Sequence, residues 1–235
     1  MLRFFNRFAS EIASAIGGIN FGNATKMNVI SLGCGPGSEV YGIIKAIRGR
    51  NLPIAMNYQG YDLNNVWNDV LGLSRAALAQ TGHQIAFFRQ DLFLNFVGFP
   101  GEKVDLLVLN YLLSDVEKFA SKTDKSQIKT FVSDLAWFVL VNNVKNILFN
   151  DNSYYGHNGN LDSGVQLMLL LIEDLKAWGL SLSEFYYYFP SDPYRGNQPW
   201  RPYATNHLLF QPLANNPVRQ NINGCHSKQI FVHIN

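Results

Sequence analysis

Ser31-Leu32-Gly33-Cys34-Gly35-Pro36-Gly37-Ser38-Glu39 decides how this chain is read. Ahead of it, Met27-Asn28-Val29-Ile30-Ser31-Leu32 is a short apolar run of the kind that forms a buried strand. Behind it, Val40, Ile43, Ile44 and Ile47 recur at helical spacing, predicting a helix that begins near Pro36 and stops at Gly49. Proline suits a first helical turn, where its missing N–H would have no partner. Glycines between a strand and a helix let the backbone bend sharply and remove the Cβ atoms that would hold a ligand off. The N–H groups at the start of the helix then face that ligand.

Outward from this turn the alternation continues. A second strand is expected over about residues 54–63, closing on Asp62, with Asn64 or Asn65 capping a helix that carries Val66, Val70, Leu73 and Leu78 on its buried side. A third strand over about 84–89 leads to Asp91. The run 104–109 is apolar throughout except Asp105, as in strands covered on both faces. A helix over about 125–141 and a strand over about 144–150 follow. Next comes an apolar helix over about 162–178, closed by Gly179, and three strand candidates near 185–189, 208–210 and 230–234. Strands alternating with helices imply right-handed βαβ units and a parallel sheet. Without repeats or a linker, residues 1–235 read as a single domain. It has an N-terminal helix over about 2–16 and a long aromatic-rich connection over about 190–228.

Composition narrows the function classes. An apolar fraction of 47% with 15% charge describes an ordinary folded domain, and 235 residues suffice for one sizeable core. A net charge of +2 carries no strong footprint for nucleic acid. Cys34 and Cys225 lie far apart, outside any Cys/His cluster, so no metal site and no disulfide framework are expected, and a reducing compartment fits. No apolar run reaches the roughly 18 residues of a membrane span, so no membrane role is expected. Leu2, Phe5, Phe8, Ile12 and Ile16 share one helical face, with Arg3 and Arg7 elsewhere, a pattern shared with mitochondrial presequences. Glu11 interrupts that basic character. The preferred reading is a cytoplasmic protein whose first helix packs onto the domain or covers its pocket, with mitochondrial import the lesser alternative.

Leu32-Gly33-Cys34-Gly35-Pro36-Gly37 closely resembles the first motif of the class I S-adenosylmethionine-dependent methyltransferases, in which Cys and Pro frequently separate the glycines. The dinucleotide fingerprint Gly-x-Gly-x-x-Gly would place its last glycine where Ser38 stands. The resemblance extends over about residues 27–150. It implies a three-layer α/β sandwich with a mostly parallel, seven-stranded sheet whose last strand is antiparallel, and S-adenosylmethionine as cofactor. It also implies roles for particular residues. Gly33, Cys34, Gly35 and Gly37 would form the loop around the cofactor, and Asp62 would accept from both ribose hydroxyls, with Leu63 beside it. Asp91 would accept from the adenine amine and Leu92 would contact the ring. Asn110 and Tyr111 would line the cofactor where it faces the substrate. The sequence departs from the pattern at Ser31, where an acid is usual. Glu39 is the nearest substitute for holding the amino end of the methionine moiety.

Methyl transfer from a sulfonium depends mostly on positioning, and a general base is required only when the acceptor must lose a proton. Asp115, Tyr154, Tyr155 and His157 are candidates for that task, and none is assigned; the catalytic residues stay unknown. Asn110-Tyr111-Leu112-Leu113-Ser114 lacks the Pro-Pro signature of base-amine methylation. Tyr186-Tyr187-Tyr188, Tyr194-Arg195, Trp200-Arg201 and Tyr203 interleave aromatics with arginine, which suits unpaired bases but equally a buried face or lid. RNA therefore has weak support, and protein, RNA and small-molecule acceptors stay open, as does the oligomeric state. Two alternatives stand beside the enzyme reading: a cofactor-binding relative without catalysis that serves as an interaction protein, and an NAD-dependent oxidoreductase.

Overall fold

Val29, Leu106, Val108 and Leu148 point to one side of a central sheet, and Ile30, Leu107, Leu109, Ile147 and Phe149 to the other. That period-two alternation explains why the strands read as continuous apolar runs: both faces are covered. The structure, a computed structural model, describes residues 4–93, 103–122, 124, 126–152, 163–190, 199–211 and 224–235. In chain order its elements are α1 (Phe5–Gly17), β1 (Lys26–Leu32), α2 (Ser38–Gly49), β2 (Ala55–Asp62), α3 (Asn68–Leu78), β3 (Gln84–Arg89) and β4 (Leu106–Asn110). There follow α4 (Leu113–Lys122), α5 (Ser126–Val141), β5 (Asn146–Asp151), α6 (Ser163–Ala177), β6 (Leu182–Tyr188), β7 (Arg201–Pro202) and β8 (Lys228–Ile234).

The strands form one sheet in the order β3-β2-β1-β4-β5-β8-β6-β7. β8 runs antiparallel between β5 and β6, and the other pairings are parallel. Ile12 and Ile16 of α1 and Val40, Ile43 and Ile47 of α2 cover one face, while Phe131, Leu135 and Phe138 of α5 and Met168, Leu171 and Leu175 of α6 cover the other. The result is a three-layer α/β sandwich. Strand order reverses between β1 and β4, the place where open α/β sheets leave a crevice beyond the carboxyl ends of their strands.

Several expectations need adjustment. An eighth strand, the two-residue β7, extends the sheet beyond seven. α2 begins at Ser38, so Pro36 sits in the turn and Gly37 caps the helix with φ of 73°. Asn64 caps a single 3₁₀ turn over Asn65–Trp67, accepting the Val66 N–H at 3.2 Å, and that turn leads into α3, whose buried side is Leu71, Ser74 and Leu78, while Val66 and Leu73 face solvent. α4 was not expected. Residues 208–210 form no strand: the Leu209 and Phe210 N–H groups donate to Ser10 Oγ at 2.9 and 3.1 Å, so a helix hydroxyl replaces a neighbouring strand. Among the described residues no helix is long and apolar enough to cross a membrane.

Candidate functional site

A cavity of about 250 Å³ opens at the switch point, beyond the carboxyl ends of β1 to β4. The turn after β1 forms its floor. Gly33 and Cys34 both donate their N–H to Tyr61 O, at 2.8 and 3.1 Å, folding the turn back onto the end of β2. Gly33 holds φ of 67°, a backbone that glycine adopts without strain, and a Cβ there would press on the Leu112 side chain, 2.7 Å from its Cδ1. Asp62, closing β2, reaches across: its carboxylate accepts the Gly35 N–H at 2.8 Å and the Asn64 N–H at 2.8 Å. A two-oxygen acceptor has about four lone-pair sites, so both oxygens keep capacity for a ligand's hydroxyls. Asp91 accepts the Phe93 N–H at 2.9 Å through Oδ1, which fixes the turn that carries Leu92 and Phe93 to the cavity.

All the sequence-predicted cofactor residues gather in this one cavity except Gly37, whose α-carbon faces Phe87 and Leu71 instead. Asp115 also lines it, with its carboxylate exposed and 3.2 Å from Lys118 Nζ. Tyr154, Tyr155, His157, Tyr194 and Arg195 lie outside the described residues. Glu39 does not line the cavity. It is fully buried beneath the turn, accepting from Ser31 Oγ at 2.8 Å and Tyr58 Oη at 2.6 Å. Burial pushes the Glu39 carboxyl above the usual carboxylate range, and burial with the neighbouring Glu39 charge pushes the Tyr58 phenol well up. Cys34, also buried, is raised well above an ordinary thiol by burial, Glu39 and Asp62.

The reading from sequence missed the apolar wall: Phe8, Trp67, Phe93, Leu112, Val116 and Phe131. Phe8 was visible only as one member of an amphipathic face. In the structure it stacks on Tyr111 with ring centroids 4.0 Å apart, so α1 both packs on the domain and closes one side of the cavity. Tyr111 adopts φ of 58°, uncommon for a residue with a side chain, and its N–H donates to Asn150 O at 2.7 Å. Its hydroxyl donates to Glu11 Oε2 at 2.9 Å and accepts from Arg7 Nη2 at 3.0 Å. Burial, then the Glu11 charge, raises that phenol well above its ordinary value, so it stays a neutral, fully used hydroxyl.

Behind Tyr111 the sheet alternation turns Asn110, Asn150 and Gln229 toward α1. Asn150, fully buried, donates to Glu11 Oε2 at 3.2 Å and Asn110 Oδ1 at 2.8 Å, and accepts from Ser227 Oγ at 2.7 Å and Gln229 Nε2 at 2.8 Å. Glu11 also accepts the His226 N–H at 2.7 Å and lies 3.5 Å from Arg7 Nε. A second buried carboxylate, Asp151, accepts from Ser114 N–H at 3.0 Å and Ser114 Oγ at 2.8 Å, tying the start of α4 to β5. Burial raises its carboxyl to about 7.

No protein-family model and no curated protein sequence matches the chain. Solved structures do. Magnesium protoporphyrin IX methyltransferase from Synechocystis PCC 6803 with bound S-adenosylmethionine superposes with a TM-score of 0.52 at 10% identity, over 97% of this chain and 78% of that one. The same enzyme with bound S-adenosylhomocysteine gives 0.50 at 12% identity, over 99% and 83%. A Listeria monocytogenes protein described as a class I S-adenosylmethionine-dependent methyltransferase gives 0.50 at 11% identity, over 95% of this chain and 57% of that one. Strand order, the lone antiparallel strand and these superpositions agree: the chain has the fold of the class I S-adenosylmethionine-dependent methyltransferases.

Proposed function

We propose that this protein binds S-adenosylmethionine in the cavity at the switch point and transfers its methyl group to an acceptor. The observation that carries the reading is the meeting of a glycine turn, the Asp62 carboxylate and the Asp91 turn around one cavity, at the ends of three adjacent strands. That donor and acceptor set fits the ligand. Asp62 retains lone pairs for a vicinal diol, Asp91 retains Oδ2 for an exocyclic amine, and Leu92, Phe93 and Trp67 offer apolar walls to a purine. Gly33 keeps the floor free of a side chain.

When bound, the cofactor supplies an activated methyl group on a sulfonium. The chain's own residues bind and orient. Asp62 and the Gly33–Gly35 turn fix the nucleoside, while Phe8, Leu112 and Val116 exclude water from the far half of the cavity. Holding two reactants in line is the larger part of such catalysis. Tyr111 is not offered as a base, since its hydroxyl is shared between Glu11 and Arg7. Asp115 is the described carboxylate on the cavity wall that is positioned to take a proton from an acceptor that has one to lose.

Calorimetry with S-adenosylhomocysteine and NAD tests the proposal. The homocysteine ligand should bind and NAD should not. Asp62→Ala, removing two hydrogen bonds to the ribose at about 1 kcal/mol each, should weaken binding roughly 10- to 100-fold. Unchanged affinity in that variant, or no binding by the wild type, refutes the reading. Transfer of a radiolabelled methyl group to RNA, protein or metabolite pools then separates an active enzyme from a silent relative.

A further inference from the structure

Besides Arg7 Nε, the Glu11 network leaves one group without a partner among the described residues. Glu11 sits on α1, beside Arg7, and its carboxylate can only accept. Asn150 must therefore turn its NH2 toward Glu11; the reverse orientation would set two acceptors against each other. Gln229 reinforces this from the other side, because its NH2 donates to Glu11 O at 2.8 Å as well as to Asn150 Oδ1. With Asn150 so fixed, its second N–H meets Asn110, which must present its carbonyl oxygen. All four bonding positions of Asn150 are used. What remains is the Asn110 NH2, on a side chain only 7% exposed that lines the cavity; among the described residues nothing accepts from it. An acceptor-only carboxylate on α1 thus dictates, through one amide, that the next amide offers a donor to the ligand.

We infer that Asn110 is a fixed hydrogen-bond donor for a carboxylate carried by the bound ligand, and that Glu11 is the positioning residue that keeps it so. This rests on the cofactor reading above. Ribose and adenine contacts lie on β2 and β3, so the rest of the ligand extends past the glycine turn toward β4 and Asn110. Ser31 and Glu39, turned toward one another beneath the turn, put no carboxylate on this wall to hold an ammonium. The Asn110 NH2 therefore selects an oxygen with free lone pairs, while the Asp115 carboxylate on the same cavity is engaged by Lys118 at 3.2 Å. The oxygen belongs either to the methionine carboxylate of the cofactor or to a carboxylate on the methyl acceptor.

Calorimetry distinguishes these sources. Wild type, Asn110→Asp and Glu11→Gln are each titrated with S-adenosylhomocysteine and with its decarboxylated form. The ratio of the two affinities is taken on one preparation, so a change in folded fraction cancels. A hydrogen bond to a charged group corresponds to roughly 10- to 100-fold, so wild type should prefer the carboxylate-bearing ligand by about that factor. Asn110→Asp should abolish the preference and Glu11→Gln should reduce it several-fold. If wild type shows no preference, the protein saturated with S-adenosylhomocysteine is titrated with benzoate. Binding that is lost in Asn110→Asp assigns the carboxylate to the acceptor. Homocysteine-ligand binding with no Asn110-dependent carboxylate preference in either arm overturns the inference. A preference lost in Asn110→Asp but intact in Glu11→Gln overturns the positioning role. No binding of S-adenosylhomocysteine at all defeats the cofactor reading itself.

Discussion

Replacing Gly42 with alanine should loosen α1 from α2, and the structure says by how much. Gly42 lies inside α2, and a Cβ there would stand 2.5 Å from Ala9 O, 3.0 Å from Ala13 N and 3.0 Å from Ile12 Cβ. Close carbon–oxygen contacts settle at about 3.3–3.6 Å, so α1 must retreat by about 1 Å. Two of the three obstacles are backbone atoms, which no rotamer change can move aside. Over-packing of this kind costs about 1–3 kcal/mol, and the rigid partners place it at the upper end. Alanine recovers about 1 kcal/mol through helix propensity, leaving a net loss of about 2 kcal/mol, or about 4–8 °C in Tm for a chain of this size. Gly72, inside α3, is the control: nothing lies within 4 Å of its added Cβ, so Gly72→Ala should gain about 1 kcal/mol and raise Tm by about 2–4 °C. Thermal unfolding followed by circular dichroism measures both. Because α1 also carries Phe8 and Glu11, Gly42→Ala should weaken S-adenosylhomocysteine binding as well. If Gly42→Ala melts at or above the wild-type temperature, the account of the α1–α2 contact is wrong.

Stability should fall as pH rises from about 4 to 7, because Asp151, raised to about 7 by burial, keeps its proton in the folded protein over a range where the unfolded chain, near 3.9, has lost it. The full span is on the order of 4 kcal/mol, present below pH 4 and lost on passing 7, with the raised Glu39 acting in the same sense. Urea unfolding at several pH values should show a shallower decline for Asp151→Asn than for wild type; parallel curves would exclude Asp151 as the source. Tyr58→Phe, which strips a donor from the buried Glu39, should lower stability by about 1–3 kcal/mol, and a neutral result in urea would mean Glu39 is satisfied without it. Cys34 and Cys225 are buried with thiols pushed upward by burial, so iodoacetamide at pH 8 should label neither in the native protein and both in denaturant. Native-state labelling of Cys34 would show that the glycine turn opens.

How much of this was legible depended on the range of the interactions. The β1–turn–α2 unit announces itself because apolar strand, glycines and helical spacing are contiguous, and Asp62 and Asp91 stand at strand ends that the same periodicity locates. α4 escaped because it is only ten residues long, so its stripe of Leu113, Val116 and Ala120 repeats too few times to be read as a period. Residues 208–210 looked like a strand because a short apolar run cannot say whether a strand or a helix hydroxyl will take its N–H groups. Glu11 read only as an interruption of the first helix's basic character. Its partners Tyr111, Asn150 and His226 lie 100, 139 and 215 positions away, and no local pattern encodes contacts of that span.

The insertion of β8 between β5 and β6 has a consequence for how the molecule is made. Beyond β5, every sheet pairing except the two-residue contact of β6 with β7 waits for Lys228–Ile234. During synthesis the stretch from β1 to β5 can assemble in order, while β6 emerges with no neighbour on its inner edge. Until Lys228–Ile234 is in place, the facing edges of β5 and β6 stand open, which makes its insertion the step that commits the chain to its native sheet rather than to pairing with another copy.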